Sequence, residues 1–334
     1  MSTTAAPVDR SAERPRRSRS VGDLANRYGL LVAWGVVIAG FSILLPETFF
    51  QIENLQTILG SQAVLLIITL GVIVSLTVGE FDLSIAGVVN ISVVTMGFLN
   101  GVHGWPLLPS MLAVLAIGLA VGTVNALLTV RVGIQSIIVT LGMGTLLQGL
   151  ALGINANPVP GLAPGLVDVM RSTLFGVQLA FYVGLALTVV AWYVYRYTPI
   201  GRYLFFVGAG RDVARLAGLR VGAIRAGAMI TTSMMGSLAA IIMIGLLGSS
   251  DPNVGPNFLL PAFAAAFLGA TVISPGRFNP WGTFIAVYFL VTGITGLQLY
   301  GLSSWVENVF YGGSLVVAVA VAHVVGRRGA AAAA

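Results

Sequence analysis

Residues 55–78 read LQTILGSQAVLLIITLGVIVSLTV, twenty-four positions without one charged side chain. A straight helix crosses the hydrocarbon core of a bilayer in about 20 apolar residues, so this stretch is long enough to span. A strand of a membrane barrel would alternate apolar and polar positions. Here the apolar residues fill both parities, which predicts a helix, and inside lipid a helix pairs every backbone N–H and C=O within its own segment. Working outward, nine more stretches read the same way: 28–45, 84–100, 107–130, 134–153, 176–195, 225–247, 258–273, 281–299 and 304–325. The stretch 258–273 is short for a straight span and reads as partly re-entrant. The expected fold is an all-α, polytopic membrane helix bundle of about ten transmembrane helices.

Composition agrees. The 334 residues are 57% hydrophobic and 8% charged, against about 25% charged in soluble domains. All seventeen basic residues are arginine. Without lysine there is no G-x-x-x-x-G-K-[ST] phosphate loop, so if ATP drives this protein, another subunit binds it. The absence of cysteine excludes disulfides, thiolate catalysis and cysteine-ligated metals. His103 and His323 stand far apart, whereas a zinc site needs three or four converging ligands, so no metal is expected. A pI near 10.1 can mark a nucleic-acid binder, but the distribution of the arginines gives it another meaning.

With the N-terminus placed in the cytosol, sixteen of the seventeen arginines fall on inner segments. Six precede the first span, and the others are Arg131, the six from Arg196 to Arg225, Arg277, Arg327 and Arg328. Only Arg171 lies outside, while Glu47, Glu53, Asp168 and Asp251 occupy outer loops. That is the positive-inside pattern, and it places both termini in the cytosol. Residues 1–26, rich in Ser, Pro and Arg, read as a disordered cytosolic tail with no apolar run of a cleavable signal. The membrane domain is 27–326, followed by a tail at 327–334. Tyr193, Tyr195 and Tyr197 at an inner end, and Trp105 and Trp305 at outer ends, are expected as interfacial anchors. The pairs Gly97/Gly101, Gly118/Gly122 and Gly149/Gly153 each put two small residues on one helix face, permitting close helix packing.

Two polar segments interrupt the apolar runs. The loop YTPIGRYLFFVGAGRDVARLAGLRVGAIRAG (197–227) carries a helix start signal at Asp212 and a stop glycine at Gly218. A short helix of about two turns is expected there. It is either a basic loop held near anionic headgroups or a docking helix for a cytosolic partner. The second segment is Gly79-Glu80-Phe81-Asp82-Leu83-Ser84. A charge at the bilayer centre costs about 2.5–3.5 kcal/mol, so both acids belong near an interface, in a cavity or paired with arginine. One reading has Asp82 capping the helix that starts near Ser84 and Glu80 solvated at the inner face. The other places them beside a translocation path or in a salt bridge with Arg131 or Arg277. Asn90, Asn125, Thr140, Gln148 and Asn257 lie within spans, where they either bond neighbouring helices or line a path together with aromatic faces such as Phe258 and Phe263. The turn-rich loop 157–165 is either a docking surface or a rigid connection.

Several segments in order resemble the permeases of ABC importers, in the branch that carries ribose and related sugars. Gly210-Arg211-Asp212-Val213-Ala214-Arg215-Leu216-Ala217-Gly218-Leu219 is similar to that family's coupling loop, and Gly79 to Ser84 is similar to its Gly-Gly-Ile-Asp-Leu-Ser. Asn125-Ala-Leu-Leu and IQSIIVTLG (134–142) resemble its Asn-Gly-Leu-Leu and Pro-Phe-Ile-x-Thr-Leu-Gly, and Gly276 to Thr283 resembles its Gly-Arg-Gly-x-x-Trp-Gly-Thr. The resemblance implies a multi-pass permease of the bacterial cytoplasmic membrane, not itself an enzyme. It implies pairing with a second copy or a paralogue, two ATPase subunits that bind ATP and magnesium, an extracytoplasmic solute-binding protein and a small sugar-like substrate. The chain itself would bind no cofactor and no nucleic acid, and lipid would surround it. The loop 196–225 would couple to the ATPases, with Val213 and Leu216 packing into a groove and Arg211, Asp212 and Arg215 fixing orientation through charge pairs. Ala214 and Gly218 belong to the same motif. Asp82, Asn90, Asn125, Thr140, Gln148, Asn257 and Phe258 are candidates for the translocation path. The chain departs from the pattern at Glu80, where the family has glycine, and at Phe278-Asn279-Pro280. The rival reading is an ion-coupled secondary transporter working alone, but such proteins bury ionisable residues in mid-span and here the charges sit at the ends.

Overall fold

Apolar segments in lipid close their hydrogen bonds within themselves, and helices dominate the chain. The computed structural model describes residues 21–303 and 305–331, with side chains over 28–303 and 305–320. The tail up to residue 20, Ser304 and residues 332–334 lie outside the described residues, as do the side chains of His323, Arg327 and Arg328. The helices are α1 (Val21–Leu44), α2 (Ile52–Ser61), α3 (Ala63–Thr77), α4 (Ile85–Met96), α5 (Leu107–Ala126), α6 (Ser136–Ile154) and α7 (Pro164–Arg171). They continue with α8 (Leu179–Tyr197), α9 (Pro199–Ala209), α10 (Arg211–Leu216), α11 (Val221–Leu247), α12 (Leu259–Gly269), α13 (Pro280–Leu299) and α14 (Trp305–Ala331).

Among the described residues, six segments can cross a membrane by length and composition: Ile85–Val102, Leu107–Val132, Ser136–Ile154, Leu179–Tyr197, Val221–Leu247 and Pro280–Leu299. The bent pair α2–α3 makes a seventh, and Tyr28–Leu44, Gly255–Gly269 and Trp305–Ala320 are shorter apolar helices. Each stretch found in the sequence falls on one of these. The stretch 55–78 is not a single straight helix, however: it bends by 40° at Gln62, directly after the Gly60-Ser61 pair, a recognised site of helix kinks. α12 has eleven residues, about 16 Å of helix, too short to cross alone. Two ends differ from the sequence expectation. α1 starts at Val21, inside the expected tail, and α14 runs on to Ala331. Hydropathy marks what lipid covers, whereas a helix continues past that until its backbone is capped.

α3 is apolar all round, the pattern of a helix enclosed by others: every residue but Val74 is buried. α8, α11, α12 and α13 pack about it, while α4 and α5 pack on α11 and α6 on α4. Close approach comes from small residues. Gly118 and Gly122 of α5 lie against Ser233, Ser237 and Ile230 of α11, Thr232 donates to the Gly71 carbonyl at 2.9 Å, and Ser92 meets Ser237 at 3.0 Å. Gly97 and Gly101 pack on Ser250, Leu162 and Val159 instead of on another helix, while Gly149 and Gly153 face open space. The loop 157–165 is tied to the bundle: Val159–Pro160 pairs antiparallel with Ser249–Ser250, Leu162 is buried, and Asn100 accepts from the Ala163 N–H at 3.0 Å.

The ends of α11 fix the charge asymmetry. Arg171 donates to the carbonyls of Leu246 and Leu247, at 2.7 and 3.0 Å, so it caps the negative C-terminal end of that helix. Arg225 sits in the opposite, first turns, about 33 Å along the axis at 1.5 Å per residue. Val130, next to Arg131, lies against Gly222, and the Arg277 guanidinium stands 5.5 Å from the Phe205 ring. These charges share the end bearing Arg225, and Arg171 occupies the other.

At that arginine-rich end Asn279 ties two helices together. Its carboxamide oxygen caps α13 by accepting from the Gly282 N–H at 2.7 Å, and its nitrogen reaches the carbonyls of Gly269, Val272 and Arg277 at 3.1–3.2 Å. Replacing an N-cap by alanine costs about 1 kcal/mol, and the lost carbonyl contacts add about as much again. Thermal unfolding of purified Asn279→Ala is therefore expected well below that of the unaltered protein. Asn279→Asp, which keeps the cap and loses the donors, is expected to melt between the two.

Candidate functional site

The loop after α8 folds back on the bundle as two helices. Thr198 and Pro199 start α9: the threonine Oγ1 accepts from the Gly201 N–H at 3.5 Å and proline occupies the first turn, where its missing N–H costs nothing. α10 follows as the expected short helix, but with Gly210 rather than Asp212 at its N-cap and no side-chain cap, and Gly218 ends it in the left-handed region (φ 80°). There Leu219 N–H bonds the Ala214 carbonyl at 3.1 Å, the geometry of a glycine-terminated helix. Ala214 is buried, Val213 is 62% exposed and Leu216 90%. An aliphatic side chain so exposed at a helix tip has no packing partner among the described residues.

The charges of this helix divide between two directions. Asp212 and Arg215 pair with each other across one turn at 3.4 Å, in full exposure. Arg211 turns inward, against the expectation that it serves the outer surface. Its Nη2 donates to Glu80 Oε1 at 2.7 Å and to the Gly79 carbonyl at 3.1 Å. Arg225 reaches the same carboxylate oxygen at 2.5 Å. Glu80 is 2% exposed, so the reading that places it in solvent fails: a carboxylate withdrawn from water needs counter-charge, and two arginines supply it. Neither is the nominated Arg131, which is exposed, nor Arg277, which faces Phe205.

The adjoining link between α3 and α4 gathers three of the path candidates. Asp82 Oδ1 accepts from the Ser84 N–H at 3.0 Å and its hydroxyl at 2.6 Å, and Asn125 donates to that hydroxyl at 2.8 Å. The aspartate thus holds the residue at the head of α4, one step before the first turn. The link lies outside the spanning helices, and burial pushes the Asp82 carboxyl up to about 6. Thr140 Oγ1 accepts from the Leu83 N–H at 3.0 Å and lies 3.0 Å from the Phe81 carbonyl. Phe81, 36% exposed, stacks on Phe263 and Phe267 of α12 with ring centroids 6.3 and 6.4 Å apart.

The other four candidates sit elsewhere. Asn90 donates to the Pro252 carbonyl and accepts from the Gly255 N–H at 3.1 Å, and Gln148 donates to the same carbonyl at 3.1 Å. Together they clamp the turn before α12. Asn257 is exposed and Phe258 half-buried beside that turn. The seven therefore form two groups, and Asn90, Asn125 and Thr140 are engaged in holding backbone and neighbouring helices. The sequence reading missed Arg225; its only signal was an arginine in the first turns of a long apolar helix.

Comparison with known proteins places this arrangement. A family model described as the permease component of branched-chain amino acid transport systems matches residues 54–319. The ribose import permease protein of Escherichia coli (strain K12) is 29% identical over 296 residues, covering 87% of this chain and 92% of its own length. The autoinducer 2 import system permease protein of Photorhabdus laumondii subsp. laumondii is 28% identical over 248 residues, 72% of this chain and 74% of that one. The D-allose transport system permease protein of E. coli (strain K12) is 25% identical over 299 residues, 89% and 91% of the two chains. Matched from the kinked second helix through most of α14, and built as a bundle of apolar helices, the chain belongs to the branched-chain amino acid transport system permease component family.

Proposed function

We propose that the chain is the membrane permease subunit of an ATP-driven importer carrying a sugar or sugar-like solute by alternating access. The observation that carries this reading is α10, a two-turn helix with Leu216 90% exposed at its tip, in a chain that has no lysine for a phosphate loop of its own. A nucleotide-hydrolysing partner would grip Val213 and Leu216, with the Asp212–Arg215 pair at the rim. Ala214 forms the buried back of the helix, and Gly218 fixes its end. The solute class rests on the relatives, whose names specify ribose and D-allose.

In this reading the chain crosses the bacterial cytoplasmic membrane ten times with both termini in the cytosol, because the arginines gather at one end of the bundle. It pairs with a second copy or a paralogue and receives solute from an extracytoplasmic binding protein at the end bearing Arg171. Asn257 and Phe258 border the path, with Phe81 adding an aromatic face. Asp82, Asn90, Asn125, Thr140 and Gln148 frame it. No Asp, Glu, Arg or Lys occupies the middle of a described span, which counts against an ion-coupled carrier.

Leu216→Asp combined with Arg215→Glu is the test. Both side chains are exposed, so the melting temperature is expected to stay unchanged, while uptake and co-purification of an ATPase subunit are lost. Undiminished uptake with no associated ATPase would refute the proposal.

A further inference from the structure

We propose that Glu80 is a positioning residue that clasps the coupling helix to the transmembrane core, holding α10 in register with the ends of α3 and α11 so that its displacement moves them together; the inference rests on the coupling role given above.

α10 has six residues, and an isolated helix that short is not stable in water. Its place is set by its anchors. One is Ala214, a single buried methyl packed with Val78, Val207 and Val221. The other is Arg211, which bonds Glu80 and the Gly79 carbonyl. Asp212 and Arg215 satisfy each other within the helix and tie it to nothing else. Among the described ion pairs, Arg211 is therefore the polar tie between α10 and the bundle.

The carboxylate at the other side of that tie is shared. Glu80 Oε1 bonds Arg211 at 2.7 Å and Arg225 at 2.5 Å. Arg225 belongs to α11, whose positive N-terminal end disfavours a cation, and Glu80 offsets this. Gly79 and Glu80 follow α3 directly, and the Glu80 N–H bonds the Ser75 carbonyl at 3.0 Å, fixing the acid to the end of that buried helix. Three elements thus meet on one oxygen. From α10 the covalent routes lead into α11 through residues 217–220 and back through Gly210 into α9, which rests on the end of α3 at Gly208; Glu80 adds the polar tie that binds α10 itself to the ends of α3 and α11. The group has one negative and two positive charges, so neither arginine can be spared the acid by a second one.

The test begins with the purified chain in lipid nanodiscs, with no partner. The chain has no cysteine, so spin labels can be placed at Val213→Cys and Ile137→Cys, both exposed, and their separation read by pulsed electron paramagnetic resonance. With Glu80 present a single narrow distance distribution is expected. Glu80→Gln and Arg211→Gln are expected to broaden it alike, with no further broadening in the double variant, and Glu80→Asp to restore it in part. A distribution as narrow in Glu80→Gln as in the unaltered chain would overturn the clasp.

The second measurement uses the assembled transporter with labels at Leu112→Cys and Val169→Cys, near the far end of α11. ATP with vanadate is expected to shift that distance, and the shift is expected to be lost in Glu80→Gln while ATP hydrolysis persists. A shift of undiminished size, or hydrolysis lost along with it, would reduce Glu80 to a fold-stabilising contact. If the unaltered chain retains no ATPase at all, the proposed function fails, and the first measurement still decides the clasp.

Discussion

Gly208→Val is expected to detach α9 and α10 from the bundle and to lower the thermal stability of the purified chain by about 3 kcal/mol, the upper range for overpacking a filled site. Gly208 lies where α9 crosses the C-terminal end of α3, and a Cβ at that position would fall far inside contact distance of the Thr77 carbonyl oxygen. That oxygen belongs to backbone and cannot swing aside as a flexible side chain can. Thr77 is itself fixed: its hydroxyl bonds the Ile73 carbonyl at 2.6 Å and meets the Tyr195 hydroxyl at 3.0 Å. The added methyl groups must therefore lift α9, and Arg211 leaves Glu80 with it. Gly227→Ala serves as the control, because a Cβ there meets nothing within 4 Å and alanine favours a helix interior. It is expected to melt at or above the unaltered protein. Proteolysis within 199–220 reads the release directly; a Gly208→Val chain as resistant as the control would show that the close approach carries no weight.

Much of this arrangement is legible in the sequence, and the physical reason for each gap is specific. Runs such as 55–78 announce helices because lipid leaves the backbone no alternative, and the arginine bias separates the ends. The kink at Gln62 had a signal in Gly60-Ser61, overlooked because hydropathy averages across it. The stop of α10 followed from Gly218, which acts on its own backbone, whereas its start lies at Gly210 and Asp212 caps nothing, its carboxylate pairing with Arg215 instead. Glu80 is different. Burial cost dictates that the acid find an arginine, yet it is 131 residues from one partner and 145 from the other, and nothing local distinguishes them from Arg131 or Arg277. The path candidates fail in a related way. Asn90 and Thr140 are recognisable as polar residues in apolar helices, but their partners are the Pro252 carbonyl and the Leu83 N–H, backbone groups with no signature of their own.

The Glu80 group also separates stability from positioning. Glu80→Ala leaves Arg225, 15% exposed, and Arg211, 43% exposed, with no counter-charge. Removing one partner of a buried pair costs about 3–5 kcal/mol; because Arg211 is partly in water, the lower figure is expected here. The paired replacement Glu80→Leu with Arg225→Met removes both deeply desolvated charges at once. Arg211 keeps the Gly79 carbonyl and water, so this double variant is expected to melt near the unaltered protein, as apolar substitutes for buried ion pairs often do. The double-mutant cycle then yields a coupling term about as large as the single loss. Melting as low as Glu80→Ala would show that desolvation is not the cause. Even at full stability the double variant lacks the carboxylate that Arg211 reaches for, so α10 is expected to be held loosely. A contact that an apolar pair can replace in energy, yet not in where it holds a helix, is there for the position it imposes.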